Sequence, residues 1–424
     1  MSHPSPDFNR AWLNSAATVI VKGALAAVRI LFLLWAARLI GPEAFGRLAL
    51  CFAIVEVLRT VVDFGTESLF LRSLARTAAR TDQIDQLARF RLFRFVATSI
   101  GVLLYWGAVE AVLNAPVTRL DLMPGALIIS SAGIGYALTY YQSKLGMRRA
   151  ALLLLPVGLV AVAILAVLHP QQIESQLALL IAFETAVLLV FMIDMAREGL
   201  FQSSTPRQAS YLRTTWDVLF ASLPLAAVGL LATAYTRLDV MIIAPVVGSV
   251  GLGLYSFAYR ISEPLRFVAS AVDSTLYSYL SARIEDVDKG ELRRLLVVVF
   301  IYASVLAISA VLLGWVLVYV AYQEYHNALP TLGLLGIALF LRCVNGFLTA
   351  LLYAKGLFRT VLKIATYNAI LMTVIIYPFV AGFGIIGAAA SLLAVEMLNC
   401  VLQSRATSAG TGPPDRESLS QAGA

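Results

Sequence analysis

Charge is scarce in this sequence. Only 13% of its 424 residues are Asp, Glu, Lys or Arg, while 60% are hydrophobic and the mean hydropathy is +0.82. So little polar surface cannot solvate a water-facing globule of this size, which leaves lipid as the solvent. Cysteine is also rare: Cys51, Cys343 and Cys400 fall in apolar runs without CxxC spacing, and histidine occurs three times. Neither a disulfide framework nor a metal site is expected, and no cofactor is called for. Pro4, Pro6 and Asp7 precede the first apolar run and no small-residue cleavage site follows it, so the first span is expected to be retained.

The motifs of covalent chemistry are missing too. There is no P-loop, no HExxH and no GxSxG, and His169 and His326 have no triad partners. GFGIIG at 382–387 fits the dinucleotide pattern GxGxxG, but no strand precedes it and it reads as a tight turn between spans. No catalytic residue is expected. A membrane-embedded glycan polymerase or ligase would carry a sizeable outer loop with catalytic side chains, and the outer loops here are short. No basic patch is interleaved with aromatics, which argues against nucleic acid as a partner.

What is abundant is apolar sequence in runs of about 20 residues, the length that crosses a hydrocarbon core of about 30 Å as a helix. Twelve are expected, at 17–40, 46–71, 93–113, 122–143, 150–168, 176–195, 217–246, 250–280, 295–320, 329–353, 361–381 and 385–403. The loops between them alternate in charge. One side carries Arg72, Arg76, Arg80, Arg89, Arg91, Arg94, Lys144, Arg148, Arg149, Arg197, Arg207, Arg213, Arg283, Lys289, Arg293, Arg294, Lys355, Arg359 and Lys363; the other has Arg38, Arg47 and Arg119. This bias places the basic side and both termini in the cytoplasm.

The chain also repeats itself. At an offset of 207, Gly41, Gly46, Glu56, Arg59 and Arg76 meet Gly248, Gly253, Glu263, Arg266 and Arg283; at 210, Gly146 and Arg149 meet Gly356 and Arg359. Two six-helix halves entering the membrane in the same direction are a transporter arrangement. The expected domains are a lobe at 1–196, a cytoplasmic linker at 197–216, a second lobe at 217–403 and a disordered tail at 404–424, since that tail is rich in Ser, Gly, Pro and Ala.

Ionisable groups inside such spans cost roughly 2.5 to 3.5 kcal/mol each at a helix centre, so they mark function or a partner. Lys22, Arg29, Arg237, Arg260 and Arg342 are the candidates for a cationic cavity between the lobes, because guanidinium geometry suits phosphate. Lys22 either lines that cavity or snorkels towards the cytoplasm. Arg29 and Arg237 have no acid at i+3 or i+4 on their own helix. Glu56 with Arg59 and Glu263 with Arg266 stand at i, i+3, which allows pairing along one helix, and their recurrence points to gating or structure. Asp63, Asp239 and Asp273 are the candidates for coupling to a Na+ or H+ gradient. Glu184 and Glu396 read as buried hydrogen-bonding groups.

LIGPEAFGRLAL at 39–50 with DFGTESLFLRSLAR at 63–76, and SLPLAAVGLLATAYTRLDVMIIAPVVGSVGLGLYSFAYRISEPL at 222–265, resemble the Wzx-type polysaccharide flippases. The resemblance runs in span order along nearly the whole chain. It implies the multidrug/oligosaccharidyl-lipid/polysaccharide exporter superfamily, with a V-shaped pair of six-helix lobes. It implies as substrate a polyprenyl-diphosphate-linked oligosaccharide, carried by alternating access across a bacterial inner membrane for O-antigen, capsule or exopolysaccharide assembly. Membrane lipid and polysaccharide polymerase or assembly proteins are the implied partners. A cation-coupled multidrug exporter on the same fold is the alternative; it would want a cavity dominated by carboxylates.

Overall fold

A computed structural model of the chain describes residues 8–77, 79–113, 116–168, 170–201, 211–283 and 288–409. Among these residues there is no strand. The helices are α1 (Phe8–Asp63), α2 (Thr66–Arg76), α3 (Arg80–Val112), α4 (Arg119–Leu122), α5 (Ala126–Ser143), α6 (Met147–Leu168), α7 (Ile173–Arg197), α8 (Tyr211–Arg283), α9 (Lys289–Ala321), α10 (Leu329–Ala354) and α11 (Phe358–Ala409). Of the linker expected at 197–216, residues 202–210 lie outside the described residues, as do 410–424 of the expected tail; Ser404–Ala409 continues α11.

Nine helical stretches among the described residues are long and apolar enough to cross a membrane. Three of them have 48, 43 and 51 residues. At 1.5 Å per residue these would run about 65 to 77 Å if straight, twice the depth of the hydrocarbon core. Each is broken at one glycine with a backbone that L side chains avoid: Gly41 (φ 70°, ψ 175°), Gly248 (φ 83°, ψ 180°) and Gly384 (φ 57°, ψ −136°). Gly41 and Gly248, paired at the 207 offset, share one conformation. Divided at these glycines, and with α2 continuing the second part of α1, the described residues give twelve long helical segments.

Side-chain contacts show the reversal at Gly41. Asn14 Oδ1 accepts the Met147 N–H at 2.9 Å, beside the turn after α5, and Arg29 reaches Ser131 midway along α5. Arg47 then clasps Asp121 through two hydrogen bonds of 2.7 and 2.6 Å at the opposite end of α5. The chain returns from there, since Asp63 meets Arg94 inside α3 and Ser73 meets Gln86 near its start. In α11 the two parts lie antiparallel, with Val361 and Ile364 packed beside Leu402 and Ala406. There GFGIIG is a tight helix–helix turn: a Cβ on Gly387 would overlap the Phe379 carbonyl oxygen, so only glycine fits.

The helices form two compact units, Met1–Met241 and Ile242–Ala424. In the first, Thr233 Oγ1 and Thr60 Oγ1 are 2.9 Å apart and Arg237 pairs with Glu56, so this part of α8 runs antiparallel to the second part of α1. Its core includes Leu87, Phe90, Tyr105, Val187 and Phe191, and Phe90 stacks on Phe70 at 4.3 Å. In the second, Leu280, Val299, Phe347 and Leu351 form one cluster and Ala269, Ala303, Leu339 and Cys343 another. Small residues bring the backbones close, as where Gly101 receives Val62 and Gly336 receives Val311. Large apolar side chains such as Leu152, Leu159, Val167 and Val320 point outward, the arrangement expected of a surface in lipid.

Candidate functional site

The first unit buries a chain of charges. Glu184 of α7 is fully buried and receives Arg29 of α1, and Ser130 of α5 donates to it at 2.6 Å. Arg29 also donates to Ser131 at 3.0 Å. Two turns below Glu56, the break at Phe64 and Gly65 starts α2, and the Asp63 carboxylate accepts the Glu67 N–H at 3.1 Å. Arg94 of α3, read from the sequence as a flanking basic residue, is buried and donates to both Asp63 (3.0 Å) and Glu67. Arg237 of α8 pairs with Glu56. Arg59 makes no ion pair among the described residues, but lies within the electrostatic reach of Arg29, Glu184, Glu56 and Glu67.

The acid partners of Arg29 and Arg237 thus come from other helices, which in-helix spacing had no means of showing. Glu56 pairs across helices and not with Arg59. Asp239 is buried, and its carboxylate accepts the Val240 N–H at 2.8 Å. Lys22 is exposed on α1, two turns before Arg29. At the end of the unit near the α5–α6 turn, Arg149 binds Asp194 (2.7 Å) and Glu198, while Tyr141 donates to Asp194 at 2.7 Å. This clasp ties three helices together.

The second unit holds an open cationic pocket. Tyr259, Ser262 and Arg266 of α8, Leu335, Ala338, Leu339 and Arg342 of α10, and Leu392 and Glu396 of α11 line it. Arg266 donates to the Tyr259 hydroxyl and its guanidinium lies 5.4 Å above that ring. Arg342 is 41% exposed and meets Glu396 Oε1 only at 3.7 Å, while Asn345 donates to Glu396 Oε2 at 2.7 Å. Arg260, next to Tyr259 in the chain, is turned into a 2.7 Å pair with Glu263. Two arginines against one glutamate leave the pocket net positive, and the loosely held Arg342 can accept an anion without breaking a strong pair.

Asp273 stands deeper, seated on Gly346 of α10. The structure therefore gathers Arg266, Arg342 and Glu396 in one place and Arg29, Glu56, Arg59, Asp63 and Arg237 in another. Residues that sequence reasoning did not assign to the site are Glu184, Arg94, Glu396, Asn345 and the serines of α5. A signal for one pair existed: Glu184 and Glu396 sit on the last helix of each repeat and both face its fourth.

No curated protein matches this sequence. Among solved structures, the chain is similar to the lipid II flippase MurJ in an inward closed conformation, with a TM-score of 0.67 at 12% identity over 93% of this chain and 87% of that one. It is also similar to an inward-facing multidrug resistance MATE family transporter of the MOP superfamily, at 0.65 and 14% over 93% and 98% of the two chains. The eukaryotic MATE transporter AtDTX14 matches at 0.55 and 12% over 94% of each. These likenesses show the fold, that of a polytopic helical exporter. A family model described as polysaccharide biosynthesis protein matches residues 11–282, well over half of the chain, and the chain belongs to that family.

Proposed function

We propose that this protein is a flippase that carries a polyprenyl-diphosphate-linked oligosaccharide from the cytoplasmic to the periplasmic face of a bacterial inner membrane, by alternating access, for surface or exported glycan. Twelve spans with both termini in the cytoplasm complete the reading, with the basic loop set inside. The observation that carries it is the pocket of Arg266, Arg342, Tyr259 and Ser262, cationic and midway along α10 and the part of α8 that follows Gly248. A diphosphate headgroup is the ligand such a pair of guanidinium groups fits, and the hydroxyls suit its flanking oxygens. Arg342 and Arg266 are the residues assigned to the headgroup. Arg29, Arg237 and Arg260, which are acid-paired in this conformation, join them only if those pairs open, and Lys22 meets substrate nearer the cytoplasmic entrance. Glu56, Arg59, Asp63, Asp239 and Glu263 then act in gating. A cation-coupled multidrug exporter would place carboxylates in excess in the pocket, the reverse of the balance here.

Deletion should abolish surface glycan while lipid-linked intermediates accumulate on the cytoplasmic face. Arg342→Ala and Arg266→Ala should lower transport several-fold with the protein still in the membrane. Normal surface glycan in a deletion strain that has no paralogue would refute the function, and normal transport by both variants would refute the pocket.

A further inference from the structure

The two repeats treat one carboxylate position differently. In the first unit Glu67 lies on Gly135 of α5, where an added Cβ would overlap Glu67 Oε1. In the second, Asp273 lies on Gly346 of α10, where a Cβ would overlap both of its carboxylate oxygens. The helix ends establish the equivalence. Leu145 and Gly356, both with positive φ, close α5 and α10, and the next N–H bonds back five residues in each case, Gly146 to Tyr141 at 2.7 Å and Leu357 to Leu352 at 2.9 Å. This geometry shifts the register by one from the glycine match in the sequence, and on it Gly135 and Gly346 are the same position. Glu67 and Asp273 differ by one residue in their own register, and the break at Phe64 and Gly65, absent from α8, separates the two paths.

What surrounds the two carboxylates is not equivalent. Glu67 is ion-paired with Arg94 from α3, which it shares with Asp63. Helices α3 and α9 both have 33 residues, and the position matching Arg94 is Ala303, next to Tyr302. No cation replaces it. Asp273 makes no ion pair among the described residues, its Oδ1 is buried without a hydrogen-bond partner, and the Tyr302 hydroxyl is buried in the same condition. The groups around Asp273 are Tyr302 from α9, and Arg342 and Cys343 from α10; Arg342 acts on it through space and is itself turned to Glu396 of α11. On its own helix Arg266 is two turns away, beside Tyr259. An ionised carboxylate in that seat has only the through-space attraction of Arg342 to offset its lost hydration, with no hydrogen bond to its buried Oδ1. A hard metal cation would need a shell of several oxygen ligands, and beside the carboxylate itself one phenol hydroxyl, a thiol and a guanidinium do not supply one.

We infer that Asp273 is a proton carrier specific to the second unit: it is protonated when seated on Gly346 beside Tyr302, and it returns the proton to water when α8 and α10 move apart. Glu67 with Arg94 is the fixed, charge-paired version of the same position. The inference rests on the transporter reading but not on any particular substrate. It assigns the coupling ion as H+ and places it on one residue.

The test is infrared difference spectroscopy of the full-length protein in lipid nanodiscs, without substrate, reading the C=O stretch of protonated carboxyl groups against pH. Wild type should show a band that titrates, Asp273→Asn should lose it and Glu67→Gln should keep it. Gly346→Ala, which unseats the carboxylate, and Tyr302→Phe should each move the midpoint by about one pH unit, a tenfold change in proton affinity. These two keep the inference falsifiable if Asp273→Asn does not fold. Persistence of the band in Asp273→Asn, or unmoved midpoints in both other variants, would overturn it. Loss of the band on adding sodium chloride at fixed pH would overturn it in favour of a metal cation. Because no substrate is present, the outcome is independent of the glycan experiment.

Discussion

Glu184 is the residue whose removal discriminates best between a ligand-binding and a structural role for Arg29. Its carboxylate is fully buried and holds the Arg29 guanidinium and the Ser130 hydroxyl, and the Arg29 side chain is 22% exposed. Glu184→Gln keeps a side-chain oxygen that can accept from Ser130, so the main loss is the ion pair. Breaking a buried ion pair by neutralising one partner costs about 3 to 5 kcal/mol, because the other charge is stranded. Partial exposure lets water reach Arg29, and Glu184→Gln should then cost about 2 to 3 kcal/mol. Arg29→Gln should cost a similar amount. The double variant is neutral, and its two new amide side chains can keep hydrogen bonds with each other and with the serines, so it should be less destabilised than the sum by about 1 to 2 kcal/mol. Equilibrium unfolding in mixed micelles, followed by tryptophan fluorescence, measures the cycle. A coupling below about 0.5 kcal/mol would refute the argument that the pair organises α1 against α5 and α7, and would return Arg29 to the pool of groups available to substrate.

Gly387→Ala should abolish folded protein in the membrane, because its methyl group would overlap the Phe379 carbonyl and force the two parts of α11 apart; Gly382→Ala, which meets nothing within 4 Å, should accumulate normally. Fluorescence size-exclusion chromatography of tagged variants decides this, and equal profiles for the two would contradict the tight turn. Single cysteines at Glu43 and Ser249, exposed residues beside the Gly41 and Gly248 reversals, should react with an impermeant maleimide from outside intact cells, and cysteines at Arg148 and Lys355 only after permeabilisation. The opposite pattern would invert the topology.

The membrane class, the helical spans and the turns between them were legible because each follows from local composition. Hydropathy sums along a segment, and the charge bias sums along a loop, so neither depends on how a helix is rotated in the bundle. The repeat was legible for the same reason, and Gly41 and Gly248 proved to share a backbone conformation as well as a register. The second register was less secure. Matching Gly146 to Gly356 follows identity, whereas the left-handed residue that ends the helix is Leu145 in one repeat and Gly356 in the other. Arg94 shows a different limit: it sits at the edge of an apolar run, where a topogenic charge and a buried counter-ion look alike until Asp63 and Glu67 are placed beside it.

By itself, then, the sequence determined a lipid-solvated helical chain with an internal repeat, since scarcity of charge, run length and self-similarity are properties of the linear chain. Only the tertiary structure decided what the internal charges do. Arg29 and Glu184 are 155 residues apart, and the helices carrying Arg237 and Glu56 come from different repeats, so pairing depended on which helix faces are packed together. The same packing left Arg342 loosely held at a pocket and Asp273 without an ion pair among the described residues, its Oδ1 buried and unbonded. Charges of equal cost in the sequence became, in three dimensions, a structural pair, a binding group and a lone carboxyl.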